Sequence, residues 1–249
     1  PRSPRGGNVE RTRGSGREIV LLGDTLDEAR GHALQLAAEQ GLTFVHPYDD
    51  EAIVAGQGTA ALEMLEDVPE LDTLVVSVGG GGLIAGMALA AKAIRPQIEV
   101  VGVQTVRFPN MYNAVKQEKL PQGQSTIAEG IAVGTPGKIP QAIIERCVDD
   151  IVLVDEGDIE QAIVLLLEIE KTLVEGAGAA GLAAMLKHPE RFRDRTVGLV
   201  LGGGNIDPML LAAIIERGMA RAGRLARIRV CARDVAGSPA RLTATVAQG

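Results

Sequence analysis

Residues Leu71-Asp72-Thr73-Leu74-Val75-Val76-Ser77-Val78 run directly into Gly79-Gly80-Gly81-Gly82, and the chain resumes as Leu83-Ile84-Ala85-Gly86-Met87-Ala88. A run dominated by β-branched and apolar residues, without polar alternation, predicts a strand buried on both faces. The glycines that follow let the backbone turn its N–H groups inward, with no Cβ to block a close anion. The residues after them read as a helix over Leu83–Ile94, whose free N-terminal amides add positive potential. Strand, glycine corner and helix together predict a phosphate site that needs no basic side chain. The alternative is a tight turn without a ligand, for which four consecutive glycines are more than the geometry needs.

The neighbouring residues narrow the kind of phosphate. A nucleoside-triphosphate loop ends in Gly-Lys-Ser/Thr, whereas Leu83 and Ile84 stand here. Gly80-x-Gly82-x-x-Ala85 fits the short glycine pattern of a dinucleotide fold. That fold also wants an acidic residue about 20 positions on to hold the ribose, and the residue at the end of the next predicted strand is Gln104. The loop favours a phosphate with no ribose attached.

Working outward, the pattern alternates strand and helix. Glu99–Gln104, Ile151–Val154 and Thr196–Leu201 read as further buried strands. Ile139–Val148, Asp158–Val174, Ala177–Leu186 and Pro208–Ala222 read as helices. This predicts an α/β fold with a parallel sheet covered by helices on both faces. Nearer the start, Glu18–Leu22 and Thr43–Val45 read as short strands flanking a helix from Asp24 to Gln40. Asp24 is the expected N-cap, Asp27 and Glu28 sit at the positive end of the dipole, and Gly41 ends the helix. His46-Pro47-Tyr48-Asp49-Asp50 reads as a turn with satisfied polar groups rather than a metal cluster. Beyond Gly223 the composition shifts to clustered arginines (Arg221, Arg224, Arg227, Arg229). A half-exposed strand over Ile228–Arg233 follows, then a helix opened by Ser238-Pro239.

Composition excludes several classes. The net charge of −7, with no Trp, two Tyr and three Phe, argues against a nucleic-acid partner. No apolar run approaches the ~20 residues that span a bilayer. Cys147 and Cys231 are far apart with no ligand-spaced His or Cys, as expected of reduced thiols in a cytoplasmic protein.

Several stretches jointly match a known family. Phe44-Val45-His46-Pro47-Tyr48-Asp49-Asp50, Gly56-Gln57-Gly58-Thr59 and Val76–Leu83 resemble the threonine ammonia-lyases of the tryptophan-synthase-β-like, fold type II pyridoxal-phosphate group. Thr126-Ile127-Ala128-Glu129-Gly130-Ile131, Leu173-Val174-Glu175-Gly176-Ala177-Gly178-Ala179 and Gly202-Gly203-Gly204-Asn205-Ile206-Asp207 agree with it. The resemblance covers about residues 8–225. It implies that Gly79, Gly80, Gly81, Gly82 and Leu83 hold the phosphate of pyridoxal 5'-phosphate, that Glu129, Gly130 and Glu175 line the ring side, and that Gly202 faces the pyridine nitrogen.

The implied reaction is α,β-elimination of threonine, and less readily serine, to a 2-oxo acid and ammonia, in isoleucine biosynthesis or threonine degradation. A homodimer or homotetramer acting on a small amino-acid substrate is implied. The tail from Val230 resembles the opening of a ferredoxin-like ACT domain, with an amino-acid effector as its partner. The domains are then 1–55, the remainder of a small capping domain; 56–223, the large cofactor domain; and 224–249, the start of the ACT domain.

The chain departs from the family in two ways. The family's Ser-Phe-Lys-x-Arg-Gly motif and Ser-x-Gly-Asn-His loop are absent, and Lys92, Lys116, Lys119, Lys138, Lys171 and Lys187 all fall in surface patterns. The Schiff-base lysine is therefore expected upstream of Pro1. Gly202 stands where the family usually has Ser, Thr or Cys. Gln104, Phe108 and Asn110 stand where related serine racemases hold a divalent metal, so no metal site is expected. Serine dehydratase or racemase chemistry and a non-catalytic amino-acid sensor are the alternatives.

Overall fold

The computed structural model describes residue 9 and residues 12–24, 26–229, 231 and 235–247. At its centre the apolar run after Leu71 forms β1 (Thr73–Ser77). β1 pairs in parallel with β2 (Glu99–Thr105) on one side and β4 (Val197–Leu199) on the other, and β2 pairs with β3 (Asp150–Val154). The order is β3-β2-β1-β4, so the glycine corner leaves the C-terminal end of an interior strand.

Both faces of this sheet are covered, as a run without polar alternation requires. Leu74, Val76, Val100 and Ile151 pack one face against Val54, Ile84, Met87 and Ile144. Those come from α2 (Glu51–Asp67), α3 (Gly82–Ile94) and α5 (Lys138–Cys147), with the short α4 (Asn110–Lys116) alongside through Met111. Val75, Val101, Val103 and Val154 pack the other face against Ile159, Ile163, Ala180 and Ile214. Those come from α6 (Glu156–Leu165), α7 (Gly176–Lys187) and α9 (Pro208–Arg221); α8 (Pro189–Phe192) adds Phe192. Alternate strand residues thus serve two cores.

Local sequence signals set three of the helix starts. The Asp50 carboxylate accepts from the amides of Ala52 and Ile53 at 2.9 and 3.2 Å, opening α2. Asp155 and Asp158 form a reciprocal capping box at the start of α6. Asp207 accepts from Met209 and Leu210, with Pro208 at the first helical position of α9.

The structure corrects four expectations. Glu18–Leu22 and Thr43–Val45 are irregular rather than strands. An isolated strand has no ladder to stabilise it; among the described residues neither has a partner, and Val20, Leu21, Leu22 and Val45 are exposed. The helix between them, α1 (Leu26–Gln40), does end at Gly41 with φ +65°. At its start, the Asp24 amide donates to Glu28 at 2.8 Å. The long helix expected over Asp158–Val174 stops being α-helical at Leu165. It widens into a π turn over Leu166–Glu170 and ends at Lys171 with φ +55°, so that the chain reverses before Glu175. In the expected strand Ile228–Arg233, residues Ile228, Arg229 and Cys231 are not in a strand, and the others lie outside the described residues. The helix after Ser238 is present as α10 (Ser238–Ala247).

The opposite, N-terminal edge of the sheet is tied by ion pairs. Arg191 bridges Glu99 at 2.8 Å and Asp150 at 2.6 Å, and Lys116 reaches Asp150 at 2.8 Å. Partial burial pulls the Asp150 carboxyl upward, but the bonds from Lys116 and Arg191 outweigh it and hold the group below its usual range. A carboxyl depressed on folding adds stability that is present above its unfolded value, about 3.9, and is lost as pH falls through the lower folded value. Asp150→Asn is expected to cost about 0.5–1 kcal/mol at pH 7. Denaturant unfolding should show that gap narrowing below pH 4 and closing as the native carboxylate is protonated.

Candidate active site

One cavity of about 600 Å³ lies at the C-terminal end of β1, and it collects residues far apart in sequence. Gly79, Gly80, Gly81, Gly82, Leu83, Glu129, Gly130, Glu175 and Gly202 all line it. The residues that the resemblance assigned to the cofactor are therefore brought to one place. Pro47, Tyr48, Gln57, Ser77, Ala177 and Gly178 join them.

The glycine corner is built as the sequence suggests. Gly81 takes φ +96°, a left-handed conformation that favours glycine, and serves as the N-cap of α3. Among the described residues, the amides of Gly79 through Leu83 donate to no protein acceptor. A cluster of undonated amides at the positive end of a 13-residue helix attracts an anion. Among the described residues no Lys or Arg lines the cavity, so an anion there would rest on backbone amides and neutral side chains.

The corner is enclosed by Tyr48. A Cβ on Gly80 would lie 2.3 Å from Cγ of the Tyr48 ring, and one on Gly82 would lie 3.0 Å from the Tyr48 backbone. The ring is held edge-on to His46 with centroids 4.7 Å apart, and its hydroxyl donates to the Thr135 carbonyl at 3.1 Å. His46 is buried, and its Nδ1 accepts from the amides of Tyr48 and Asp49 at 3.2 and 2.8 Å. Asp49 accepts from the Ile139 amide at 2.9 Å. The turn 46–50 thus spends its polar groups on backbone. Tyr48 and Gln57 lay within the quoted sequence motifs, but nothing in their spacing assigned them to the cavity.

The facing wall is organised by Glu175. Its amide donates to the Gly203 carbonyl at 2.9 Å, and its carboxylate accepts from the Asn205 amide at 3.0 Å, so the 202–205 loop is gripped twice. A Cβ on Gly130 would fall 2.9 Å from Glu175 Oε1, and one on Gly203 would fall 3.1 Å from its Cδ. At Gly202 a Cβ would meet nothing within 4 Å.

The six lysines are elsewhere. None lines the cavity; Lys92, Lys116 and Lys187 pair with Asp149, Asp150 and Asp158, and Lys171 donates to the Glu168 carbonyl. Gln104, Phe108 and Asn110 have packing roles. Gln104 is buried and accepts from the Tyr112 amide at 2.7 Å, Phe108 is buried, and Asn110 donates to Gln122 and to the Val133 carbonyl.

Comparison with known proteins agrees with this geometry. Residues 1–203 match the family described as pyridoxal-phosphate dependent enzyme. The chain belongs to that family. It is 43% identical over 239 residues to an L-threonine ammonia-lyase of Geobacter sulfurreducens, covering 95% of this chain and 60% of the relative. It is 39% identical over 242 residues to an L-threonine ammonia-lyase of Thermotoga maritima, covering 96% and 60%. It is also similar to the structure of maize serine racemase, with a TM-score of 0.77 and 32% identity over 86% of this chain and 69% of that one. The chain therefore spans about 60% of the length of the two ammonia-lyases.

The Tyr48–Gly80 contact gives a direct test. Gly80→Ala should destabilise the protein by about 1–3 kcal/mol through overpacking. Removing the ring with Tyr48→Ala should relieve much of that penalty, so a double-mutant cycle by chemical denaturation should give a coupling of about 1 kcal/mol or more.

Proposed function

We propose that this chain is the cofactor-binding part of a threonine ammonia-lyase, which eliminates water across Cα and Cβ of threonine and yields 2-oxobutanoate and ammonia. Serine would be a poorer substrate, giving pyruvate. The observation that carries the reading is the set of acceptor-free amides from Gly79 to Leu83 at a helix N-terminus, in a cavity lined by no Lys or Arg among the described residues. Its chemistry suits a phosphate monoester, and the resemblance to two L-threonine ammonia-lyases supports the substrate.

Pyridoxal phosphate, when bound, supplies an electron sink for the charge left at Cα after proton loss. This chain's residues would hold and orient it. The amides of Gly79–Leu83 take the phosphate, and Tyr48 keeps water off the back of that loop. Glu129, Gly130 and Glu175 form the ring-side wall, and Gly202 leaves room at the ring nitrogen. Because none of the six lysines lines the cavity, the amine that bonds the cofactor would come from a segment outside these 249 residues. A small capping part to residue 55, a cofactor domain over 56–223 and an ACT start over 224–249 complete the proposal, with α2 bridging the first two. An amino-acid effector at the tail, a homodimer or homotetramer, and a role in isoleucine biosynthesis or threonine breakdown belong to the same reading. The two cysteines are free, which fits a reducing compartment such as the cytoplasm. No helix among the described residues is long and apolar enough to cross a membrane.

The likeness to maize serine racemase favours a second reading, a serine-acting member of the fold. Product analysis of the full-length protein separates them. We expect 2-oxobutanoate from threonine, detected by a coupled dehydrogenase, at a higher kcat/KM than pyruvate from serine; D-serine without 2-oxobutanoate would favour the second reading. Borohydride treatment with the cofactor should leave no stable adduct on Lys138 or any other lysine of this chain. Gly202→Ser should tighten cofactor binding in the full-length protein by up to about tenfold, since one neutral hydrogen bond contributes roughly 0.5–1.5 kcal/mol. No change would mean that Gly202 does not face the ring nitrogen.

A further inference from the structure

Glu156 is the first residue of α6, and by sequence it is merely an acid at the favourable end of a helix. In the fold its carboxylate reaches 29 and 30 residues back along the chain. Oε2 accepts from the Ile127 amide at 2.8 Å, and Oε1 accepts from the Thr126 hydroxyl at 2.6 Å. Oε1 also accepts from the Thr105 hydroxyl at 3.3 Å, at the end of β2. The buried Thr126 oxygen in turn accepts from the Ala128 amide at 3.1 Å. The bond to Ile127 and this relay through Thr126 fix the segment 126–128, and the short 3-10 turn Glu129–Ile131 starts directly after it.

A second contact pins the segment from the other side. A Cβ on Gly176 would lie 2.4 Å from the Ile127 carbonyl oxygen, so the start of α7 presses against the same peptide. The segment is clamped between a carboxylate from α6 and the backbone of α7. What it delivers is Glu129 and Gly130, at the edge of the cavity. Gly130 then stands where a Cβ would be 2.8 Å from Ala177 Cβ. With so little clearance, a small shift of residues 126–128 would close part of the cavity or open it to water.

We infer that Glu156 is a positioning residue for the ring-side wall of the ligand cavity, acting through Thr126 and Ile127 without touching the ligand. The inference rests on the cavity being the pyridoxal-phosphate site. It predicts a division of labour: the segment 126–128 delivers Glu129 and Gly130, whereas the amides of the glycine corner are carried by β1 and α3. The two meet only where a Cβ on Gly79 would lie 3.1 Å from Ile131 Cα, so Glu156 governs recognition of the ring more than of the phosphate.

The test uses two probes on the cofactor-free full-length protein. Pyridoxine 5'-phosphate carries ring and phosphate but no aldehyde to react with surface lysines, and it can be followed by its own fluorescence. Inorganic phosphate reports the glycine corner alone, by calorimetry. Glu156→Ala should weaken pyridoxine 5'-phosphate by about tenfold and leave inorganic phosphate within about twofold of the parent. Glu156→Gln keeps one acceptor for the Ile127 amide and should recover part of the loss, whereas Glu156→Asp, a methylene too short, should not. Thr126→Val removes the relay with little change of volume and should reproduce a smaller loss for the ring-bearing probe only. Equal weakening of both probes, or unchanged affinity for both, overturns the inference. If the alanine variant unfolds, the same comparison in the Gln and Val variants decides. Failure of the parent chain to bind either probe would instead remove the site reading, and the inference with it.

Discussion

At Gly80 the backbone comes so close to the Tyr48 ring that a side chain of even one carbon would sit 2.3 Å from Cγ. That approach fixes the relation between the 46–50 turn and the glycine corner, and much else follows. Tyr48 reaches this position because His46 Nδ1 collects two amides of the turn and Asp49 accepts from the Ile139 amide. Gly137 must also be small, since a Cβ there would lie 3.0 Å from the same ring. Three chain segments therefore converge on one aromatic plane, and the glycine corner has little freedom to relax. Acceptor-free amides bind an anion well only if they are held in place beforehand.

The aim of those amides is set one layer deeper. A Cβ on Gly86 would lie 2.1 Å from the Val54 carbonyl oxygen, and one on Gly58 would lie 3.0 Å from the Gly86 carbonyl oxygen. α2 and α3 therefore cross with backbones nearly touching, which fixes the axis of α3 and the direction of its N-terminal end. The glycines of this chain thus do two separate jobs. Those of the corner let the backbone lie against Tyr48 and the 129–131 turn, and those of the helix crossing leave room for another helix.

The two jobs explain what could be read from the sequence. The strand, the glycine corner and α3 were legible because each depends on residues adjacent in the chain: a buried apolar run, a conformational switch and helix formers. Glu175 and Gly202 were found only as parts of quoted motifs. α2 was not anticipated, because Gly56 and Gly58 lower helix propensity; the close crossing with α3 accounts for Gly58, while Gly56 has open space around it. Glu18–Leu22 and Thr43–Val45 were read as strands from composition, yet strand formation needs a partner that composition does not supply. Glu156 was invisible for a related reason. Capping rules compare residues up to four apart, whereas its bonds join α6 to the segment before Glu129.

Gly202 and Gly203 are neighbours under opposite constraints. At Gly203 a side chain would strike the Glu175 carboxyl, so packing dictates glycine. At Gly202 neither crowding nor a positive φ does so; the position opens into the cavity with a free 4 Å around the absent Cβ. The fold is therefore indifferent to residue 202, and whatever constrains it must come from the ligand side. The glycine corner is the reverse case, where Tyr48 and the left-handed turn at Gly81 leave the backbone almost no alternative. A cavity built this way has one end whose chemistry is fixed by the fold and one whose polar character can change without repacking anything. Variation at residue 202 should then change the polarity of that end of the cavity while leaving the glycine corner intact.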